Sequence, residues 1–268
     1  MPKIELGRIG AASSPGDPDA AIELEELGFS TIWLRGGQLD SLRQIADVVR
    51  VTRTVRVSTG IISVDRFDHE SVAALYDETE STDPDRFIVG LGGAHGPKPL
   101  QTLTAYLDAL DTVPRDARIM AALGPRMLAL ARDRAAGAFP VLVTPAYTAQ
   151  ARAVLGDDTT LAIDQIVVLE TDPERARRIA RGPVGQLAGG PAYTANLRRM
   201  GFDEDEIRQL SDRLVDGVVA WGDVDAVVTR VSEHEQAGAD HIALILITDS
   251  PDRAPTDEWQ QLASALID

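Results

Sequence analysis

The sequence predicts an α/β protein built as a single (β/α)8 barrel. Three observations predict it. Short apolar runs of strand type alternate strictly with longer stretches of helical spacing, which is the signature of βαβ units and a parallel sheet. Eight such units can be counted, the number that closes a barrel, with a doubly wound open sheet as the alternative. A faint internal repeat, LGFSTIWL from Leu27, AAGAFPVLV from Ala135 and QAGADHIALIL from Gln236, places a helix end, a glycine and an apolar strand in the same order, as a helix C-cap feeding a parallel strand requires.

The elements follow in order. Lys3 to Ala11 is the first strand, and Asp17 or Asp19 caps a helix carrying Ala20, Ala21, Leu24 and Leu27 on one face. Gly28 ends that helix, and Phe29 to Leu34 is the second strand. Leu42, Ile45, Ala46 and Val49 form an amphipathic helix capped near Asp40 or Ser41. Val55 to Val64 is strand three, and Val72, Leu75, Tyr76 and Thr79 mark its helix. Phe87 to Leu91 is strand four, an unbroken apolar run as expected of a strand buried on both faces. Leu100, Leu103, Leu107 and Leu110 line the next helix. Arg118 to Leu123 is strand five, with Pro125 at the first position of its helix, and Ala138 to Val143 is strand six, followed by a helix from Tyr147 to Leu155. Asp164 to Leu169 is strand seven, and Asp172-Pro173-Glu174 starts a run of about seventy mostly helical residues. These extra helices separate strand seven from strand eight, Asp240 to Thr248, and a helix from Asp257 to Ile267 closes the chain. The whole of 1–268 reads as one domain, since barrels of this kind reach that length as a unit.

Composition narrows the function. The net charge of -16 argues against a nucleic-acid partner, because duplex binding needs a basic face. Any anionic ligand must then be held by local cations, which are almost all arginine. Cysteine is absent, so neither disulfides nor thiolate metal sites arise. Neither a signal-peptide pattern nor a membrane-length apolar run occurs, and a cytoplasmic location is expected.

In a barrel, chemistry collects at the C-terminal ends of the strands. Those ends read Gly36-Gly37, Gly60 to Arg66, Gly92 to Lys98, Gly124-Pro125-Arg126 and Thr144-Pro145. RFIVGLGGAHG, from Arg86 to Gly96, stands out as a buried strand opening into Gly92-Gly93 and then His95. His95 sits on the loop just beyond the strand, where loops on a rigid scaffold usually carry function. His69 with Asp65 and Asp68 has no spacing of a zinc site, so no metal is expected. His234 is expected on a helix surface and His241 at the barrel's base, in a stabilising role.

The segments TGIISV from Thr59, DPDRFIVGLGGAHG from Asp83, MAALGPRMLALARDRAAGA from Met120, NLRRMGF from Asn196 and SDRLVDGVVAWGDVDAVVTRVSEHEQAGADHI from Ser211 run through the whole chain. With them the sequence resembles the luciferase-like flavin and deazaflavin oxidoreductases, and among these the actinobacterial subgroup that uses coenzyme F420. The resemblance implies a (β/α)8 barrel with F420, or alternatively FMN, across the mouth. It implies a small-molecule substrate, hydride transfer by the cofactor, and a homodimer. Gly60-Ile61 matches the family's bulge and non-prolyl cis peptide behind the cofactor ring, with Gly92 and Gly93 as clearance. Ala121, Ala122, Gly124, Pro125 and Arg126 match the turn that cradles the cofactor phosphate, and Thr144 matches a hydroxyl directed to it. A helix start suits an anion because its free N–H groups and partial positive charge face outward. His95 aligns with a glutamate that acts as proton donor in some relatives. The chain departs from the family in the short Arg35-Gly36-Gly37-Gln38 loop, in the quick passage from His95 through Gly96-Pro97-Lys98 into a helix, and in Leu123 where a glycine is common. An FMN-dependent monooxygenase and a cofactor-binding paralogue without turnover are the alternative functions.

Overall fold

The computed structural model describes residues 3–250 and 253–267, so the outermost residues of the expected domain lie outside the described ones. Ten strands form one parallel sheet: β1 (Ile9–Ser13), β2 (Thr31–Arg35), β3 (Arg56–Gly60), β4 (Ile62–Ser63), β5 (Phe87–Gly92), β6 (Arg118–Met120), β7 (Gly137–Ala138), β8 (Thr160–Leu169), β9 (Val219–Gly222) and β10 (His241–Leu246). The ring runs β1-β2-β3-β5-β6-β7-β8-β10 and closes through β10 beside β1, with Ile9 opposite Ile242. Eight strands therefore make the expected barrel. The runner-up open sheet would leave two edges, and closure removes them.

Alternation along the strands sorts the core into two. Ile32, Leu34, Val57, Val89, Leu91, Leu161 and Ile163 face outward and are buried under the ring of helices. Trp33, Ile88, Ile119, Phe139, Ala162 and Ala243 face inward and fill the lumen. Ile4 and Leu6 join this second cluster, which corrects the first expected strand: Lys3 to Arg8 runs beneath the barrel as a plug, and pairing starts only at Ile9.

Other boundaries shift for local reasons. The expected third strand is two pieces, β3 and β4, parted at a cis Gly60–Ile61 peptide. At the start of the helix Arg43–Val51 the Ser41 hydroxyl accepts the Arg43 N–H at 3.2 Å, as expected of a cap near Asp40 or Ser41, and the Gln44 side chain reaches back to the N–H groups of both residues. The region expected to be helical between strands seven and eight contains helices Pro173–Ala188, Pro191–Arg199, Glu204–Gln209 and Asp212–Val218, but also β9, which pairs with the upper half of β8. Its four residues, VAWG, were too short to separate from the helical pattern around them. Here β8 outgrows β7, and β9 takes the hydrogen bonds that the short β7 leaves open. The extra helices pack their own apolar cluster, with Ala176, Ala180, Val184, Leu197 and Phe202, onto Ile166 and Val168 of that extension.

Candidate active site at the barrel mouth

The inward positions at the C-terminal ends of the strands form a layer of mostly small residues over an aromatic floor. Trp33 and Phe139 stack 3.9 Å apart at 7° across the lumen. Beside and above them stand Ala12, Gly60, Gly92 and Ala121, a layer with little side-chain bulk.

The glycines there serve close packing of the chain on itself. A Cβ on Gly36 would lie 1.9 Å from the Ile61 carbonyl oxygen, and one on Gly60 2.9 Å from the Phe139 ring. The Gly36-Gly37 turn after β2 therefore lies against the cis peptide, which is why the loop noted as a departure carries glycine. A Cβ on Gly92 would meet Ala121 at 2.9 Å and the Ile61 side chain at 3.2 Å, while Gly93, at φ 79°, has Ser63 Oγ 2.8 Å from where its Cβ would be. Clearance at Gly92 and Gly93 is thus taken up by Ile61, Ala121 and Ser63. What faces the mouth from this side is the Ile61 side of the turn.

The second feature is the start of the helix Pro125–Arg134. Gly124 is its N-cap, Pro125 its first residue, and no side chain caps it. Tyr147 donates its hydroxyl to the Leu123 carbonyl at 2.7 Å, fixing the turn from behind. Arg126 is exposed beside it. Over Gly124 lies the Arg199 guanidinium, whose Nη2 would be 3.2 Å from a Cβ there. Arg199 also donates to Asn196 Oδ1 at 3.2 Å, and the buried Asn196 Nδ2 has no partner. Arg199 and Asn196 were missed as site residues although NLRRMGF was singled out, because only the fold carries that helix over the β6 turn. Thr144 caps the helix Pro145–Leu155, accepting from Tyr147 N–H at 3.2 Å, and its hydroxyl points to Met200 Sδ.

His95 lies outside the lumen. Its side chain is 76% exposed, and Asp65 Oδ2 accepts both its backbone N–H and its Nδ1–H at 2.9 Å. Those bonds, the backbone one foremost, hold the Asp65 carboxyl below its usual pKa. The structure gives His95 a defined ring orientation at the rim and no contact with the floor.

Inside the mouth stand Asp164 and Arg35, neither of them a candidate site residue in the sequence. Gln165 turns outward to receive His234 Nε2–H at 3.0 Å, so its neighbour Asp164 turns inward. Burial drives the Asp164 carboxyl up to about 8, against a weaker opposing pull from Arg35, and its Oδ1 has no hydrogen-bond partner. Arg35 follows Trp33 by two residues and so shares its inward side, level with Gly60. Its guanidinium makes no hydrogen bond or ion pair with any other described residue.

Two histidines are structural. His241 accepts the Trp33 indole N–H at 2.9 Å and donates to the Gly7 carbonyl at 2.9 Å, and burial lowers it to about 4, as suits the stabilising role expected at the base. His234 corrects the expected surface position: it is fully buried between Thr148 and Gln165 and lowered to about 3, first by burial and then by Arg230. The helix face bearing it packs on β8, and a single polar residue in an apolar stripe gave no sign of that. Among the described residues no cluster of acidic and histidine side chains could hold a metal ion, and no helix is long and apolar enough to cross a membrane.

No protein-family model matches the sequence, and no curated protein matches it. Solved structures do match in shape. An F420-dependent secondary alcohol dehydrogenase in complex with an F420-acetone adduct superposes with a TM-score of 0.77 at 14% identity, covering 99% of this chain and 98% of that one. Coenzyme F420 dependent tetrahydromethanopterin reductase from Methanopyrus kandleri gives 0.76 at 15%, covering 97% and 99%. The oxygenating constituent of 3,6-diketocamphane monooxygenase from the CAM plasmid of Pseudomonas putida, a type II Baeyer-Villiger monooxygenase in complex with FMN, gives 0.70 at 11%, covering 96% and 95%. At these identities the likeness is one of fold, and the fold is the (β/α)8 barrel.

Proposed function

We propose that the protein is an oxidoreductase that binds a deazaflavin or flavin nucleotide across the barrel mouth, with F420 the first choice and a small organic molecule as substrate. The observation that carries this reading is the pairing of two features at the same end of the barrel, on strands with only β5 between them: a turned strand end at Gly60-Ile61 over the aromatic floor, and an uncapped helix start at Gly124 with cationic side chains around it. The first suits a flat ring and the second an anionic tail. The residues fit such a group. Ile61 and Gly60 would back the ring, and Gly124, Arg126 and Arg199 would hold the phosphate, with the unpartnered Asn196 Nδ2 as a further donor. Ala121, Ala122 and Pro125 shape the same turn, while Gly92 and Gly93 allow it to pack. Thr144, already a helix cap, contributes only if its hydroxyl turns away from Met200.

Hydride transfer is the chemistry the bound cofactor supplies. The chain supplies orientation, a low-water floor of Trp33 and Phe139, and a proton; His95, held by Asp65 at the rim, is placed to exchange one with solvent. Titration with F420 and with FMN, followed by their fluorescence, tests the reading. Binding of one of them tighter than about 1 mM, the weak end of specific affinity, is expected, and the preferred one separates a deazaflavin enzyme from an FMN monooxygenase. Failure of both to bind overturns it. The exposure of His95 favours a second reading, a cofactor-binding protein without turnover, which any substrate-dependent change in cofactor oxidation state excludes.

A further inference from the structure

Arg35, Asp164 and Tyr193 lie together on the inner side of the mouth, and the function above uses none of them. Arg35 comes from the end of β2. Asp164 comes from the middle of β8, where its backbone pairs with Ala243 and its N–H donates to the Pro140 carbonyl at 3.1 Å. Tyr193 comes from the helix Pro191–Arg199, close enough that the charge of Asp164 opposes its ionisation, second to burial. The remaining elements packed around Asp164 bring no charge: β7 leads into Phe139 and Pro140, and β10 brings Ala243 and Ile245.

A buried carboxyl beside an arginine ordinarily forms an ion pair, and burial without one is costly. Here none forms, and Asp164 Oδ1 is left without any partner. Burial favours the neutral carboxylic acid, which is a donor. A neutral acid leaves the Arg35 charge uncancelled. The cluster therefore offers a guanidinium, a carboxylic acid O–H and a phenol O–H in a protein whose overall charge of -16 would otherwise repel anions. A guanidinium fork matches the two oxygens of a carboxylate.

We propose that Arg35, the Asp164 carboxyl and the Tyr193 hydroxyl form a substrate pocket that takes the carboxylate of a small carbonyl compound. Arg35 binds the carboxylate, Asp164 donates a hydrogen bond to one of the oxygens, and the Trp33–Phe139 stack supplies the apolar floor beneath. The pocket rests on the oxidoreductase reading only in taking the bound carboxylate to be substrate.

The test uses the full chain without cofactor and pyruvate as the probe, with binding followed by calorimetry and by ligand-observed NMR. Pyruvate binds the wild-type protein at pH 6.5, and acetone, which lacks the carboxylate, binds at least about tenfold more weakly. Affinity falls as pH rises past about 8, since an ionised Asp164 repels the probe, and approaches a decline of about tenfold per pH unit. Arg35→Gln weakens pyruvate by about tenfold or more, and Arg35→Lys by less, because the charge survives without the fork. Asp164→Asn keeps a donor and loses the proton, so affinity at pH 6.5 stays within about threefold while the decline above pH 8 disappears. An absence of pyruvate binding, a flat wild-type pH profile, or unchanged affinity in Arg35→Gln with a native circular dichroism spectrum overturns the pocket. Pyruvate binding with no F420 or FMN binding sinks the cofactor reading and leaves the pocket standing; the converse result sinks the pocket alone.

Discussion

His241 is fully buried at the base of the barrel and Asp164 partly buried at its mouth, and burial moves both away from their charged forms. Their surroundings differ. At the base each ring nitrogen of His241 has its partner, Trp33 on one side and Gly7 on the other, and the N-terminal plug seals the end. At the mouth, among the described residues, Asp164 Oδ1 and Asn196 Nδ2 have no hydrogen-bond partner and the Arg35 guanidinium makes no hydrogen bond or ion pair. A protein satisfies its buried polar groups where only stability is at stake. Groups left open in the barrel mouth mark where a ligand completes the bonding.

This comparison is sharpest in its effect on stability. His241→Ala leaves the Trp33 N–H and the Gly7 carbonyl without partners and opens a void in the lumen, so denaturant unfolding should show a loss of about 3 kcal/mol. A loss well below that would mean the base is no better satisfied than the mouth.

Asp164→Asn should act in the opposite direction, stabilising the protein at pH 7 by on the order of 2 kcal/mol. The folded pKa of about 8 lies above the unfolded value, so the wild-type acid contributes fully below the unfolded pKa and loses that contribution as pH rises towards 8. His241 and His234, at about 4 and about 3, have the reverse sign: their contribution is present above about 6.5 and is lost as pH falls through the folded values. Between about pH 6.5 and 4.5 the two effects oppose, and removing Asp164 should steepen the acid loss by up to about 1.4 kcal/mol per pH unit. Unfolding midpoints across that range, wild type against variant, check the sign.

Smaller effects are expected at the rim. Arg199→Ala should weaken nucleotide binding by about tenfold, roughly 1.4 kcal/mol, with little change in unfolding, because the guanidinium lies over the helix start at Gly124 and among the described residues it bonds to Asn196 alone. His95→Ala should change stability by less than about 0.5 kcal/mol, since its ion pair with Asp65 is exposed. If that variant also keeps full turnover, His95 has no acid-base role.

The sequence was informative wherever the signal is local. Alternating runs, proline at helix starts and glycine at helix ends foretold the barrel, the helix start at Pro125 and the Gly28 cap, because each depends on neighbours a few residues away. The turn at Gly60-Ile61 stood where the resemblance put it. The misses are long-range. Lys3 to Leu6 reads as a strand by its pattern, and only the open base of the lumen makes it a plug. His234 reads as polar surface, and only the approach of Thr148 and Gln165, 86 and 69 residues away, buries it.

From its pattern alone the chain determined alternating βα units and a parallel sheet, with a closed barrel as the first reading and an open sheet as the alternative, since periodicity and caps follow from local backbone physics. Tertiary structure decided which groups share the mouth. Arg35, Asp164, Gly124 and the helix carrying Tyr193 and Arg199 come from four separate segments, and segments so far apart leave no spacing to read. Whether a carboxyl among them is charged depends on burial and on which cation stands near it, and both of these exist only once the barrel has closed.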